Sequence, residues 1–257
     1  MDIIAIGILA SLGAGLMTGV GAVPVLFGRM ISPRASDAFL GFAAGVMLSA
    51  SYFSLILPGI DAGEALYGSV TAAALIAGGG IALGAVAVAA LNEALPHRHF
   101  VQGAEGGEPG ALARIWLFVF AITIHNFPEG LAVGVGFGGG DVANGMSLAT
   151  GIGLQNAPEG LAVAVALRGQ GYSRARSFGV ALATGLIEPA GGALGVWAVH
   201  ASAVMLPWGL SFAAGAMLYI ISHEIIPESH RRGHQNVATA GLTLGLIVMM
   251  MLDVTLG

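Results

Sequence analysis

The chain has 257 residues, of which 56% are hydrophobic and only 9% are charged, with a formal net charge of −5. Soluble domains carry about 25% charged residues, so this composition excludes an ordinary soluble protein and indicates a membrane protein. No nucleic-acid partner is expected. Cysteine is absent, which excludes disulfides, thiolate catalysis and Cys-based zinc sites. Any metal must therefore be held by nitrogen and oxygen ligands, with or without methionine.

Eight segments are long and apolar enough to cross a bilayer, for which about 20 residues are needed. In chain order they are residues 3–27, 36–57, 66–91, 114–137, 143–168, 174–199, 203–226 and 236–256. The first has no basic residue before Arg29, which favours a retained helix over a signal peptide. The fold class is therefore expected to be all-α, a polytopic membrane protein in which residues 1–257 form a single transmembrane domain.

The basic residues predict the orientation. The chain contains no lysine, and all nine arginines follow segments 1, 3, 5 and 7: Arg29, Arg34, Arg98, Arg114, Arg168, Arg174, Arg176, Arg231 and Arg232. Because basic residues accumulate in cytoplasmic loops, these connections are predicted to be cytoplasmic and both termini to lie outside. The longest, about 92–113, contains Glu93, His97 and His99, and it fits a solvated linker and a metal-capable loop equally well.

Two related motifs, HNFPEG and QNAPEG, lie in adjacent membrane segments, the fourth and the fifth. They contribute six polar residues: His125, Asn126 and Glu129, then Gln155, Asn156 and Glu159. Within each motif the first and last of these are four positions apart and share one helix face. Since consecutive segments run antiparallel, the motifs are predicted to meet at similar depth as a pseudo-symmetric pair.

Further ionisable residues follow in later segments, with Glu188 in segment 6 and His223 and Glu224 in segment 7. Such residues are costly in a membrane and usually mark a pathway. Four prolines stand next to or close to the glutamates and are expected to kink the helices and release backbone carbonyl groups, at Pro128, Pro158, Pro189 and Pro227. Carboxylates, an imidazole and amides together suit a divalent first-row metal.

Taken alone, any one of these polar residues could simply form a hydrogen bond between helices. Two other functions also remain open. An intramembrane metalloprotease is suggested by HEIIPE, but Pro227 stands where the HExxH motif requires its second histidine. A proton-coupled or monovalent-cation carrier could use the carboxylates as proton relays.

The four motif-bearing segments resemble one family. HNFPEG, QNAPEG, GLIEPAGG and SHEIIPESHR, together with SPRASDAFLGFAAGVML near segment 2, are similar to the ZIP (Zrt-, Irt-like) metal transporters, in particular their bacterial GufA-like branch. The resemblance covers essentially the whole chain. It implies a non-enzymatic carrier of zinc, and in some members cadmium, iron or manganese, that moves metal into the cytoplasm across a bacterial inner membrane. A homodimer is one candidate assembly.

The resemblance also implies roles for individual residues. One metal of a binuclear centre would be bound by His125, Glu129, Gln155 and Glu159, with Met47 nearby. The second would be bound by Asn126, Asn156 and Glu188, with both motif glutamates shared. An exit route would use His223 and Glu224, with Glu93, His97, His99 and Asp37 as further candidates. The family is associated with an elevator movement, in which segments 1, 4, 5 and 6 slide against segments 2, 3, 7 and 8.

Overall fold

The computed structural model describes residues 2–28, 31–94 and 111–256, except for the side chains of residues 94, 111–115, 117, 118, 121 and 256. All regular secondary structure in this part of the chain is helical. The eight helices are α1 (Ile3–Leu26), α2 (Pro33–Tyr67), α3 (Val70–Ala94), α4 (Ala111–Gly138), α5 (Val142–Gly169), α6 (Arg174–Ala201), α7 (Met205–His230) and α8 (Gln235–Leu256). The all-helical prediction and the predicted number of helices are confirmed.

Within the described residues, six of the helices are long and apolar enough to cross a membrane: α1, α2, α3, α6, α7 and α8. The other two are α4 and α5, which carry the paired polar motifs. Polar residues lower the mean hydropathy of α5, because transferring them into hydrocarbon is unfavourable, whereas the side chains of α4 are described without a gap only over residues 122–138. The chain is therefore a polytopic membrane protein.

Three helices depart from regular geometry, each close to a proline. In α2, a π-helical stretch, Ser51–Ile56, precedes Pro58, and in α7 a second one, Ile221–Ile225, precedes Pro227. Proline cannot donate the usual backbone hydrogen bond, and a π-turn is one way for a helix to continue past it. As a result α2 runs to Tyr67, ten residues beyond the predicted end at 57.

The third irregularity interrupts α6, which consists of Arg174–Gly185 and Glu188–Ala201. Pro189 occupies the first turn of the second half, where a missing amide hydrogen does no harm. Glu188 is the first residue of that half and is fully buried. The break thus places a carboxylate at a helix start in the interior of the protein.

Glycines bring the helices together in two groups. A methyl group added at Gly160 of α5 would overlap the Thr18 backbone of α1, and one at Gly130 of α4 would overlap the Glu188 backbone of α6. Gly45 of α2 abuts the α8 backbone, and Gly84 of α3 abuts that of α7. Only small residues allow such close approach. The first four helices named here form the 1-4-5-6 group, and the other four form the 2-3-7-8 group.

Contacts between the two groups are of a different kind. Gly151 of α5 faces the side chain of Met249, Gly209 of α7 faces that of Val135, and Gly139 faces that of Leu206. Among the described glycines, every one that abuts the backbone of another helix does so within its own group. The boundary between the groups is therefore packed by side chains rather than by interlocked backbones.

Candidate metal site

The polar residues of the two motifs meet between α4, α5 and α6, inside the 1-4-5-6 group. The glycine of each motif determines this packing, since Gly130 admits the start of the second half of α6 and Gly160 admits α1. Replacement by any larger residue would push these helices apart. Each PEG motif therefore supplies both a carboxylate and the close helix contact that buries it.

Direct hydrogen bonds connect the motifs to one another and to α6. Gln155 Nε2 donates to Glu129 Oε1 at 2.7 Å. Asn156 Nδ2 donates to Glu188 Oε1 at 2.7 Å and also to the Ala14 carbonyl oxygen of α1 at 2.9 Å. Ser11 of α1 donates to the Glu188 carbonyl oxygen at 2.9 Å. Each amide thus orients one carboxylate, and its own oxygen remains available.

Many side-chain nitrogen and oxygen atoms at this site are buried without a hydrogen-bond partner in the described part of the chain. They are His125 Nδ1, both side-chain polar atoms of Asn126, Glu129 Oε2, Gln155 Oε1, Asn156 Oδ1, both carboxylate oxygens of Glu159, and Glu188 Oε2. A buried polar group without a partner costs about 1–3 kcal/mol, and more if it is charged. Nearly all of these atoms are nitrogen or oxygen atoms of the kind that bind divalent metals.

The three glutamates are the most heavily buried acidic groups of the site. Glu129 and Glu188 are 0% exposed and Glu159 is 1% exposed. Glu159 lies within electrostatic range of both other carboxylates and of His125. Like charges packed this closely in a medium of low polarity repel one another strongly, so a bound cation would relieve both the repulsion and the desolvation.

In the conformation described, the titratable groups stand apart rather than around one point. Among the described residues, no three His, Asp or Glu side chains are grouped so that they could hold a metal ion. His125 is directed instead toward α7, where its Nε2 lies 3.1 Å from Glu224 Oε2. The side chains would therefore have to move closer together to surround a cation.

A polar route continues from this pair along α7. The ring of His223, the neighbour of Glu224, stacks on Tyr219 with 4.9 Å between the ring centres. Tyr219 in turn forms a hydrogen bond with Asn92 and lies within electrostatic range of Glu93 at the end of α3. The π-helical turn of α7 carries His223 and Glu224, and it places them between the buried site and the last turn of α3.

The remaining predicted residues lie in three different places. Met47 is fully buried in the large apolar cluster formed mainly by α2, α4, α5 and α7, and its proximity to the metal donors stays a prediction. Asp37 is fully buried and accepts hydrogen bonds from Arg232 at 3.1 Å and from His234 at 2.8 Å, so both of its oxygens are engaged. His97 and His99 lie outside the described residues.

One partly buried acidic residue was not predicted as part of any site. Asp253 of α8 accepts hydrogen bonds from Ser54 of α2 and Ser147 of α5. The available sequence signal was a single acidic residue in the otherwise apolar segment 236–256. It lies close to the end of that segment, where charged residues are common, so the sequence alone gave no reason to expect an interhelical contact.

Comparison with known proteins agrees with this combination of a helical membrane bundle and a buried polar site. Residues 108–253 match the family described as ZIP Zinc transporter. The chain is 45% identical to "Zinc transporter GufA" of Myxococcus xanthus over 98% of its own length and 99% of that protein. It is 45% identical to "Zinc transporter ZIPB" of Bordetella bronchiseptica, over 93% and 78% of the two chains. Human "Zinc transporter ZIP11" is 34% identical, over 94% of both.

Fold and site together define a multi-pass membrane transporter with a buried, acidic, nitrogen- and oxygen-lined centre. The chain belongs to the ZIP zinc transporter family, as its motifs predicted. Membership in a family of transporters decides against the metalloprotease alternative, as the proline at position 227 already indicated. The matched region contains the site residues from His125 to Glu224.

Proposed function

We propose that the chain carries zinc across the bacterial inner membrane into the cytoplasm, using the buried residues of α4, α5 and α6 as the binding site. The observation that supports this most directly is the set of buried donor atoms without partners around three fully buried carboxylates. A divalent cation would neutralise charge and coordinate these atoms at once. Cadmium, iron and manganese are further candidate substrates, since the same donor types accept them.

The first metal would be bound by His125, Glu129, Gln155 and Glu159, with Met47 as a neighbour. The second would be bound by Asn126, Asn156 and Glu188, with Glu129 and Glu159 shared between the two ions. The hydrogen bonds that Gln155 and Asn156 donate support this assignment, because they fix each amide with its oxygen free.

All eight helices would cross the membrane, with both termini outside and residues 1–257 forming one transmembrane domain. The nine arginines support this orientation, because they occupy alternate connections only. The helices α4 and α5 would be shielded from lipid by their neighbours, which explains how they tolerate so many polar residues. A homodimer remains compatible with this arrangement.

Release into the cytoplasm would begin at the contact between His125 and Glu224. A metal ion and Glu224 compete for the same imidazole, so an approaching carboxylate helps to detach His125 from the ion and receives the ion in turn. The ring of His223 and the exposed carboxylate of Glu93 then extend the route toward the α3–α4 connection, where His97 and His99 are located in the sequence.

Alternating access would occur by sliding of the 1-4-5-6 group against the 2-3-7-8 group. The glycine contacts support this division, because interlocked backbones hold each group together whereas side chains pack the boundary. Side chains can exchange neighbours during a translation by changing rotamer. Interlocked backbones cannot do so without separating the helices.

The proposal is tested by uptake of radioactive zinc into liposomes that contain the purified protein. Saturable uptake is expected for the wild type and its loss for His125→Ala and Glu159→Ala. The matched control is Glu64→Ala, which removes an exposed carboxylate of α2 outside the site. Saturable uptake that survived Glu159→Ala in folded protein would refute the site, and transport that ignored external pH would argue against proton coupling.

A further inference from the structure

A partly buried carboxylate joins three helices at the side of the bundle where α8 ends. Asp253 Oδ1 accepts one hydrogen bond from Ser147 Oγ of α5, at 2.7 Å, and a second from Ser54 Oγ in the π-helical turn of α2. Both serines are essentially inaccessible to solvent. The other oxygen of Asp253 is also buried and has no hydrogen-bond partner within the described residues.

The two hydrogen bonds differ in what they connect. The bond from Ser54 joins α2 to α8, and both helices belong to the 2-3-7-8 group. The bond from Ser147 joins α5 to α8 and therefore crosses the boundary between the two groups. During sliding, Ser54 would therefore stay with Asp253, whereas Ser147 would move away from it.

The surroundings of the crossing contact are apolar. Phe137, Leu148 and Met249 are fully buried and belong to one continuous cluster that also contains side chains of α2 and α7. Gly151, one helical turn beyond Ser147, packs against Met249 itself. In such surroundings a hydrogen bond to a carboxylate is stronger than in water.

We propose that the hydrogen bond between Ser147 and Asp253 is a latch that stabilises one end state of the transport cycle. The inference rests on the sliding mechanism proposed above. One helical turn corresponds to about 5.4 Å, so a displacement of α5 along α8 by even one turn breaks a 2.7 Å contact. Because the bond exists in one end state only, it shifts the equilibrium between the two states in favour of that one.

Asp253 acts here as a positioning residue rather than as a metal ligand. Ser54 keeps the carboxylate in one orientation while Ser147 binds or departs. The hydrogen bond to Ser147 can therefore form again without a change in the rotamer of Asp253. The boundary carries a second polar contact, His125 with Glu224, at the metal site itself. Sliding thus requires both contacts to open, one at the metal site and one near the end of α8.

The test measures the two end states directly with a pair of spin labels. The chain contains no cysteine, so Val142→Cys and Val254→Cys introduce two unique attachment points on opposite sides of the boundary. Both valines are exposed. Distances between the labels are recorded by double electron–electron resonance in the otherwise unchanged protein, in Ser147→Ala and in Ser54→Ala, each with and without zinc.

Two label distances are expected, one for each end state, and the ratio compared is the population at the present distance divided by the population at the second distance. Ser147→Ala is expected to lower this ratio by about three- to tenfold, the effect of one interhelical hydrogen bond to a charged acceptor. Ser54→Ala removes a bond to the same oxygen within one group and should change the ratio less than twofold. Asp253→Leu should reproduce the effect of Ser147→Ala.

Equal population ratios in Ser147→Ala and Ser54→Ala would overturn the latch. A single label distance that is the same in every variant would also overturn it. Zinc uptake by each variant is measured in parallel. Uptake that depends on His125 while the ratio ignores Ser147 would refute the latch alone. Absence of saturable uptake in the wild type would refute the proposed function instead.

Discussion

Gln155 Nε2 lies 2.7 Å from Glu129 Oε1, so the first polar residue of the QNAPEG motif forms a hydrogen bond with the carboxylate of the HNFPEG motif. The pseudo-symmetric pair is thereby coupled through one amide. The equivalent residue of the other helix, His125, does not contact Glu159 by a hydrogen bond but pairs with Glu224 of α7. The two motifs are thus alike in sequence and unequal in their contacts.

Asn156→Asp tests whether the residue at this position determines the need for metal. Asn156 donates hydrogen bonds to Glu188 and to the Ala14 carbonyl oxygen, and an aspartate can donate neither while it adds a charge beside Glu188. The variant is expected to unfold at lower temperature in chelator, with a loss of about 1–3 kcal/mol, and to recover most of that loss when zinc is added. Thermal unfolding in detergent measures both values.

The matched control for this substitution is Asn144→Asp, in the first turn of α5, where a negative charge is favourable near a helix start. Its unfolding temperature should equal that of the wild type in chelator, and again in zinc. An equal loss of stability for Asn156→Asp in chelator and in zinc would contradict a metal at this position.

Glu224→Gln tests the competition between zinc and the carboxylate of α7. The substitution removes the charged partner of His125, whose Nε2 lies 3.1 Å from Glu224 Oε2. Zinc binding at equilibrium is expected to become tighter, by up to about tenfold for a charge-assisted contact, whereas uptake becomes slower because the ion is released less readily. Binding and initial uptake rate are measured on the same preparation, and weaker binding together with slower uptake would instead make Glu224 a ligand of the bound state.

Gly160→Ala tests the contact between α1 and α5. An added methyl group would overlap the Thr18 backbone, so the helices must separate, with an expected loss of about 1–3 kcal/mol. Gly179→Ala is the control, because Gly179 lies inside α6 with open space around it and alanine is the better helix former. Thermal unfolding should rank Gly160→Ala below the wild type and Gly179→Ala at or above it, and equal unfolding temperatures for the two variants would contradict the close contact.

Asp37→Asn separates two roles for an acidic residue near the start of α2. The carboxylate is buried between Arg232 and His234, which ties α2 to the turn between α7 and α8. Loss of its charge should lower the unfolding temperature while zinc uptake per folded molecule stays close to that of the wild type. The opposite result, normal stability with a raised zinc concentration for half-maximal uptake, would place Asp37 on the metal route.

Much of the helical framework could be predicted because it depends on local chemistry. Apolar length indicated where each helix lies, and Ser32, Asp141 and Ser173 are the N-caps of helices that begin at or within three residues of the predicted starts. The end of α2 could not be predicted, since Pro58 normally terminates a helix and only the π-helical turn before it allows α2 to reach Tyr67. That turn packs against α7, so it depends on tertiary contacts.

The sequence by itself determined which residues are candidates for the site, because repeated carboxylates, amides and an imidazole in apolar helices are too costly to have been placed there for packing alone. Only the tertiary structure decided their partners. Glu224 lies 99 residues from His125 in sequence, and Asp253 lies 106 residues from Ser147. Such pairs depend on which helix faces meet, and those faces are set by glycine contacts distributed over the whole bundle rather than by any local pattern.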